Sequence, residues 1–172
     1  MTDPINERLH LVPRDRLAVV ATVGGMIGGP LGLYEGIKKS SLRYLTENAH
    51  RLPKNVGGWY FYHKKKNYVM ITLGCKEAAR TGIKYSSFVT TFFAIEAALD
   101  YIRGTIDFMN TTLSGAALTY GYASYKKMSL VLKWKLVKKG TVMSFGLGLI
   151  QDYMIHWRGG HTWYYDRKNL TL

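Results

Sequence analysis

The sequence is poor in cysteine, in acidic residues and in catalytic motifs. Its 172 residues include one cysteine, Cys75, so neither an intramolecular disulfide nor a zinc site built from several thiolates can form. The five histidines lack metal-ligand spacing, and no serine stands in a G-x-S-x-G elbow. We therefore predict no catalytic residues, no metal site and no cofactor.

The shortage of acidic residues leaves the chain strongly basic, with 24 lysines and arginines against 11 acids and a net charge of +13. This charge favours an anionic partner, which could be nucleic acid, an anionic membrane or an acidic protein surface. Asp3, Glu7 and Asp15 lie among the N-terminal arginines, unlike in a cleavable mitochondrial presequence. We therefore expect any targeting information to be internal.

Uncharged runs point to a membrane, although the mean hydropathy is only −0.10. Residues 17–34 and 108–125 carry no charge, and each run is nearly long enough to cross a bilayer as a helix. Two shorter runs, 85–95 and 140–151, can also cross if flanking lysines extend to the interface. We predict an all-α membrane protein with four transmembrane helices, at about 17–36, 80–102, 107–125 and 137–156.

The predicted connections alternate in charge. The long loop 37–68 and the connection 126–139 are rich in lysine, whereas the N-terminal segment 1–16, the turn near Arg103 and the tail 158–172 are not comparably lysine-rich. The positive-inside rule places the two basic connections on the cytoplasmic or mitochondrial matrix side. In the first, Trp59 and the neighbouring lysines Lys64, Lys65 and Lys66 suit an anionic lipid or an acidic protein surface. They could also bind single-stranded nucleic acid.

Glycines recur at every fourth position of the first predicted span, at Gly24, Gly28, Gly32 and Gly36. This spacing predicts a face on which two helices approach closely, which in a membrane is how helices associate. A phosphate-cradling glycine loop and a glycine-rich loop of a soluble fold are the alternatives, but no Lys-Ser/Thr follows as in a P-loop.

Polar residues gather between the second and third spans. Glu96, Asp100 and Arg103 share a helix face, so Asp100 can pair with Arg103. Asp107 is expected at the N-terminus of the third span, and Asn110 can bond a neighbouring helix or its own first turn. This stretch is either a polar hairpin between two spans or a solvated loop.

Two acids, Glu96 and Asp152, lie inside otherwise apolar runs. A carboxylate within a membrane is a functional-site hypothesis by default. Pairing with Arg103 is the alternative explanation.

Arg103, Asp107, Asn110 and Gly115 stand at successive spacings of four, three and five. Together with the first-span glycines, this pattern resembles the Tim family of mitochondrial inner-membrane proteins over about residues 17–157. The resemblance implies four glycine-rich spans with both termini in the intermembrane space. The sequence departs from the family at Thr119, where glycine is common, and it lacks the cysteine pair of some translocase members.

The long loop and the segment KEAARTGIKYSSF are more similar to the Tim-type proteins associated with respiratory complex I. The resemblance implies a non-catalytic scaffold that binds the membrane arm of complex I, as an assembly factor or accessory subunit, together with an anionic phospholipid such as cardiolipin. A component of an inner-membrane import translocase is the alternative. A basic soluble nucleic-acid-binding protein is a more distant one, and no nucleic-acid partner is expected.

Overall fold

The computed structural model describes residues 7–160, and within them the chain is all-helical, with no strand. The four α-helices are α1 (Pro13–Glu47), α2 (Val56–Arg103), α3 (Phe108–Tyr125) and α4 (Leu130–Trp157). Short 3-10 turns lie at Arg8–His10 and Ala49–Arg51. The expected all-α class is therefore confirmed, while residues 1–6 of the predicted N-terminal segment and 161–172 of the predicted tail lie outside the described part.

The first two helices are longer than the spans predicted for them, and α4 begins at Leu130, inside the predicted connection 126–139. Most of the predicted loop 37–68 is helical, because α1 continues to Glu47 and α2 begins at Val56. Runs free of charge mark the apolar part of a helix, not its ends, since lysine and arginine are good helix formers. Tyr44 and Tyr62 hold the extended ends together, with ring centroids 5.3 Å apart. The short connection between the two helices contains Pro53, and proline is not tolerated in the interior of a helix.

The chain divides into two compact units. The hairpin unit is Ala21–Val89 and comprises most of α1 and the first part of α2. The terminal unit comprises residues 7–20 and 90–160, with the start of α1, the end of α2, and α3 and α4.

In the terminal unit, α3 and α4 pack antiparallel. Cβ atoms added at Gly115 or at Gly140 would overlap the side chains of Ser144 and Thr119, respectively, and one added at Gly148 would lie 3.0 Å from Phe108 Cα. Small residues therefore set the distance between these helices.

Both helices of this pair end in a Schellman motif. After α3, Lys127 adopts φ of 50°, and Met128 N–H donates to Ala123 O at 3.1 Å. After α4, Gly159 takes the same left-handed conformation with φ of 79°.

Among the described residues, one helix is long and apolar enough to cross a membrane by length and composition. This helix is α1, whose most apolar 18-residue window has a mean hydropathy of 1.6 and is 17% buried. The third helix has the length, but its tyrosines, threonines, serines and Asn110 lower its hydropathy.

Candidate functional site

A buried network of charged and polar side chains lies inside the terminal unit, and it is the candidate functional site. Its centre is Arg8, which is fully buried. Arg8 Nη1 lies 3.2 Å from Glu96 Oε1, and Arg8 Nε donates to Asp100 Oδ2 at 3.2 Å. Arg8 Nη2 donates to the backbone oxygen of Asp107 at 2.6 Å. One guanidinium from the N-terminal turn thus binds the end of α2 and the start of α3.

Two uncharged residues extend the network to α4. The Thr111 hydroxyl accepts from Arg8 Nη1 at 2.6 Å and donates to Glu96 Oε1 at 2.5 Å. Gln151 Oε1 also accepts from Arg8. Both residues are buried, so Glu96 faces protein on all sides.

Arg16, near the start of α1, is the second buried guanidinium. Its Nη2 lies 3.9 Å from Asp100 Oδ2, and it is 1% exposed. None of its guanidinium nitrogens has a hydrogen-bond partner among the described residues. Arg16 therefore balances the local negative charge by proximity alone.

The pairing of Arg103 with Asp100, and its pairing with Glu96 as the alternative explanation of that acid, are both wrong. Asp100 and Glu96 pair with Arg8, while Arg103 Nη2 lies 3.6 Å from Asp107 Oδ2. Arg8 is the partner because it lies in a fully buried position, and a buried carboxylate needs a cation in direct contact with it. Arg103 stays at the rim with a side chain 36% exposed.

Asn110 joins α3 to the end of α2. Its Nδ2 donates to Asp100 Oδ1 at 2.7 Å and to Thr105 O at 2.8 Å, and its Oδ1 accepts from Arg103. The residue is fully buried. The stretch from Arg103 to Asn110 is thus held by side-chain bonds on both sides of the turn.

Asp152 supplies the charge that Asp107 was expected to supply at the N-terminus of α3. Asp107 is the N-cap residue but makes no side-chain capping bond. Asp152 of α4 reaches across instead, and its Oδ2 accepts from Phe108 N–H at 2.8 Å. A carboxylate at a helix N-terminus is stabilised by the helix dipole.

The predicted glycine face lies in the hairpin unit against α2. Gly24 meets Ser86, Gly28 meets Gly82, and Gly32 meets Thr81. A Cβ added at Gly28 would lie 3.0 Å from Gly82 Cα, and one added at Gly36 would lie 3.0 Å from Gly74 Cα. At these four positions a side chain would push the two helices apart.

The predicted lipid- or partner-binding residues lie on the first turns of α2. Trp59 is 40% exposed, its ring stacks on His63 and meets the buried Tyr62 edge-on. Lys64 and Lys65 are exposed, whereas Lys66 is half-buried. The helix therefore spreads these groups around its axis and does not gather them on one face.

Sequence analysis missed Arg8, Arg16, Thr111 and Gln151. The sequence did contain an electrostatic signal. Glu96, Asp100 and Asp107 lie in apolar surroundings at the end of α2 and the start of α3, where buried acids need cations nearby. The N-terminal segment carries arginines that can supply this charge. Within residues 7–160 no group of three or more His, Cys, Asp or Glu side chains could hold a metal ion. Comparisons with protein-family models, with curated proteins and with solved structures find no match to the chain.

Proposed function

We propose that the chain is a non-catalytic scaffold of the mitochondrial inner membrane that binds the membrane arm of respiratory complex I through its helices. In this proposal α1 to α4 all cross the membrane, as a Tim-type bundle with both termini in the intermembrane space. The resemblance of the Arg103, Asp107, Asn110 and Gly115 motif supports the family, and the basic loop segment supports the complex I-associated branch.

One observation carries the proposal: polarity is inverted between the interior and the surface. Among residues 7–160, five hydrophobic residues are buried, against twelve polar or charged ones. Large apolar side chains instead cover the helix surfaces, with Met26, Val142 and Met143 each 70% exposed or more. A soluble chain would leave these surfaces in water, which is unfavourable and leads to association. Lipid and apolar protein are the surroundings that such a surface fits.

The buried network favours a scaffold over a translocase. A translocase cavity would present Glu96 and Asp152 to a passing cationic segment. Both acids are fully buried, and each is engaged inside the terminal unit, Glu96 by Arg8 and Asp152 by Phe108 N–H. In our proposal these acids tie helices together, and the exposed apolar surface binds the partner laterally. The basic segment at Trp59 and Lys64 to Lys66 contacts anionic phospholipid such as cardiolipin.

The test is a two-dimensional native gel of mild-detergent inner membranes carrying the tagged full chain, with mass spectrometry of each band. We expect co-migration with membrane-arm subunits of complex I, either in the mature complex (accessory subunit) or only in partial assemblies (assembly factor). Migration with import subunits and absence from every complex I band would overturn the proposal.

The same gel can locate the binding surface. Tryptophan substitutions at Met26, Ile83, Leu113 and Met143 place one bulky apolar group on each helix. They keep the surface apolar, so insertion should survive while lateral fit is lost on the binding helix. We expect one or two of the four variants to leave the complex I band.

A further inference from the structure

A cleft in the hairpin unit gathers positive charge. Its volume is about 430 Å³, and it lies between the later turns of α1 and the middle of α2. Four cationic side chains and one carboxylate line it, namely Lys39, Arg43, Lys76, Arg80 and Glu77. Such an excess of one sign in a concave site attracts anions.

Two of the four cations have an acid partner. Arg43 Nε donates to Glu47 Oε1 at 2.7 Å, and Arg80 Nη1 lies 3.4 Å from Glu77 Oε2. The bond to Glu47 raises the pKa of the Arg43 guanidinium, which stays charged at any physiological pH.

The two lysines have no such partner. Within the part of the chain that the structure describes, no carboxylate lies within 4.0 Å of the Lys39 or Lys76 ammonium. Both side chains are exposed at the cleft and can turn toward a ligand. An anion in the cleft would therefore give each of these lysines an ion-pair partner.

We propose that this cleft binds a phosphate ester, with Lys39 from α1 and Lys76 from α2 on opposite sides of the phosphate. Arg43 and Arg80 add planar guanidinium groups, which suit phosphate oxygens. The excess of positive charge suits phosphate better than a single carboxylate. The volume exceeds that of a bare ion and leaves room for the organic part of an ester such as a glycerol phosphate head group.

The cleft is separate from the aromatic and lysine segment described above, none of whose residues lines it. It also does not depend on complex I: phosphate binding would stand if the scaffold proposal failed, and the two tests use different readouts. The phosphate could come from a phospholipid head group or from a soluble ester.

The experiment uses the full chain purified in a neutral detergent. Native mass spectrometry measures binding of cardiolipin, phosphatidylglycerol and phosphatidylcholine, and titration calorimetry measures binding of inorganic phosphate and glycerol phosphate. Retention of the two anionic lipids over phosphatidylcholine, without binding of the soluble probes, identifies a head group as the source. Saturable binding of a soluble probe identifies a free phosphate or ester.

Charge-matched variants make the test specific. Lys39→Gln with Lys76→Gln should weaken binding about 10-fold or more, because two charge-assisted contacts are lost. Lys38→Gln with Lys84→Gln removes the same charge from exposed positions outside the cleft and should change binding less than about 2-fold.

Glu77→Gln removes the one acid among the described residues that line the cleft and should tighten binding, a gain that unfolding cannot produce. Equal losses in the two double variants, or no saturable binding of any phosphate probe, would overturn the proposal.

Discussion

Replacing Arg8 by methionine should lower the free energy of unfolding of the terminal unit more than any substitution on the surface of that unit. Methionine keeps much of the length and bulk of the side chain but leaves the Glu96 carboxylate buried without its cation, 3.2 Å from where the guanidinium stood. Breaking a buried pair by removing one partner costs about 3 to 5 kcal/mol. Arg8 also donates hydrogen bonds to the Thr111 hydroxyl and to the backbone oxygen of Asp107, so we expect a cost in the upper part of this range.

A double-mutant cycle separates the ion pair from simple packing. Glu96→Gln alone removes the charge that balances Arg8, whereas the double variant Arg8→Met with Glu96→Gln leaves neither charge behind. The double variant should therefore cost less than the sum of the two singles, with a coupling energy of about 2 kcal/mol or more.

The assay is reversible unfolding of the full chain in detergent micelles, followed by circular dichroism. Arg14→Met is the matched control, because Arg14 is an exposed arginine a few residues along the chain, and it should shift stability by less than about 0.5 kcal/mol. If Arg8→Met behaves like Arg14→Met, or if the two single effects add without coupling, the buried pair does not hold the unit together.

Three further predictions use the same unfolding assay. Gly28→Ala should destabilise by about 1 kcal/mol or more, since its Cβ would lie 2.8 Å from Tyr85 Cβ, whereas Gly29→Ala meets nothing within 4 Å and should stabilise slightly; equal effects would contradict the close helix approach. Asp152→Ala should cost about 2 kcal/mol by removing the acceptor for Phe108 N–H, and Asp152→Asn should recover part of it. Lys127→Gly should stabilise by about 1 kcal/mol because φ is 50° there, whereas the same change at its neighbour Lys126, with φ of −77°, should not.

The local sequence pattern was enough to predict the helical class and the helix face on which the glycines pack. A repeat of four places Gly24 to Gly36 on one helix face whatever the partner is, so the contact with α2 follows from periodicity once two helices are assumed. The helix ends could not be predicted in this way. Charged residues stop an apolar run but do not stop a helix, which is why α1 continues through Lys38 and Lys39 to Glu47.

The partners of the buried acids needed information that the local pattern does not contain. Glu96 and Arg103 are seven residues apart and share a helix face, so the sequence offers Arg103 as one explanation of Glu96, beside a functional site. The partner that the structure gives to Glu96 is Arg8, which is far away in sequence and has no helical period relating it to Glu96. Such long-range pairs depend on the tertiary packing of distant chain segments, which cannot be read from the local pattern of a single sequence.

The position of Arg8 has a consequence for the order in which the chain is completed. Arg8 contacts Gln151, which lies 143 positions further along the chain, so the contacts of Arg8 are complete only after α4 has been synthesised. Until then Phe108 N–H also lacks its acceptor, because Asp152 lies in α4. A chain truncated before α4 would therefore leave part of the buried network without its hydrogen-bond acceptors, and incompletely packed forms of this kind are the ones that quality-control proteases degrade.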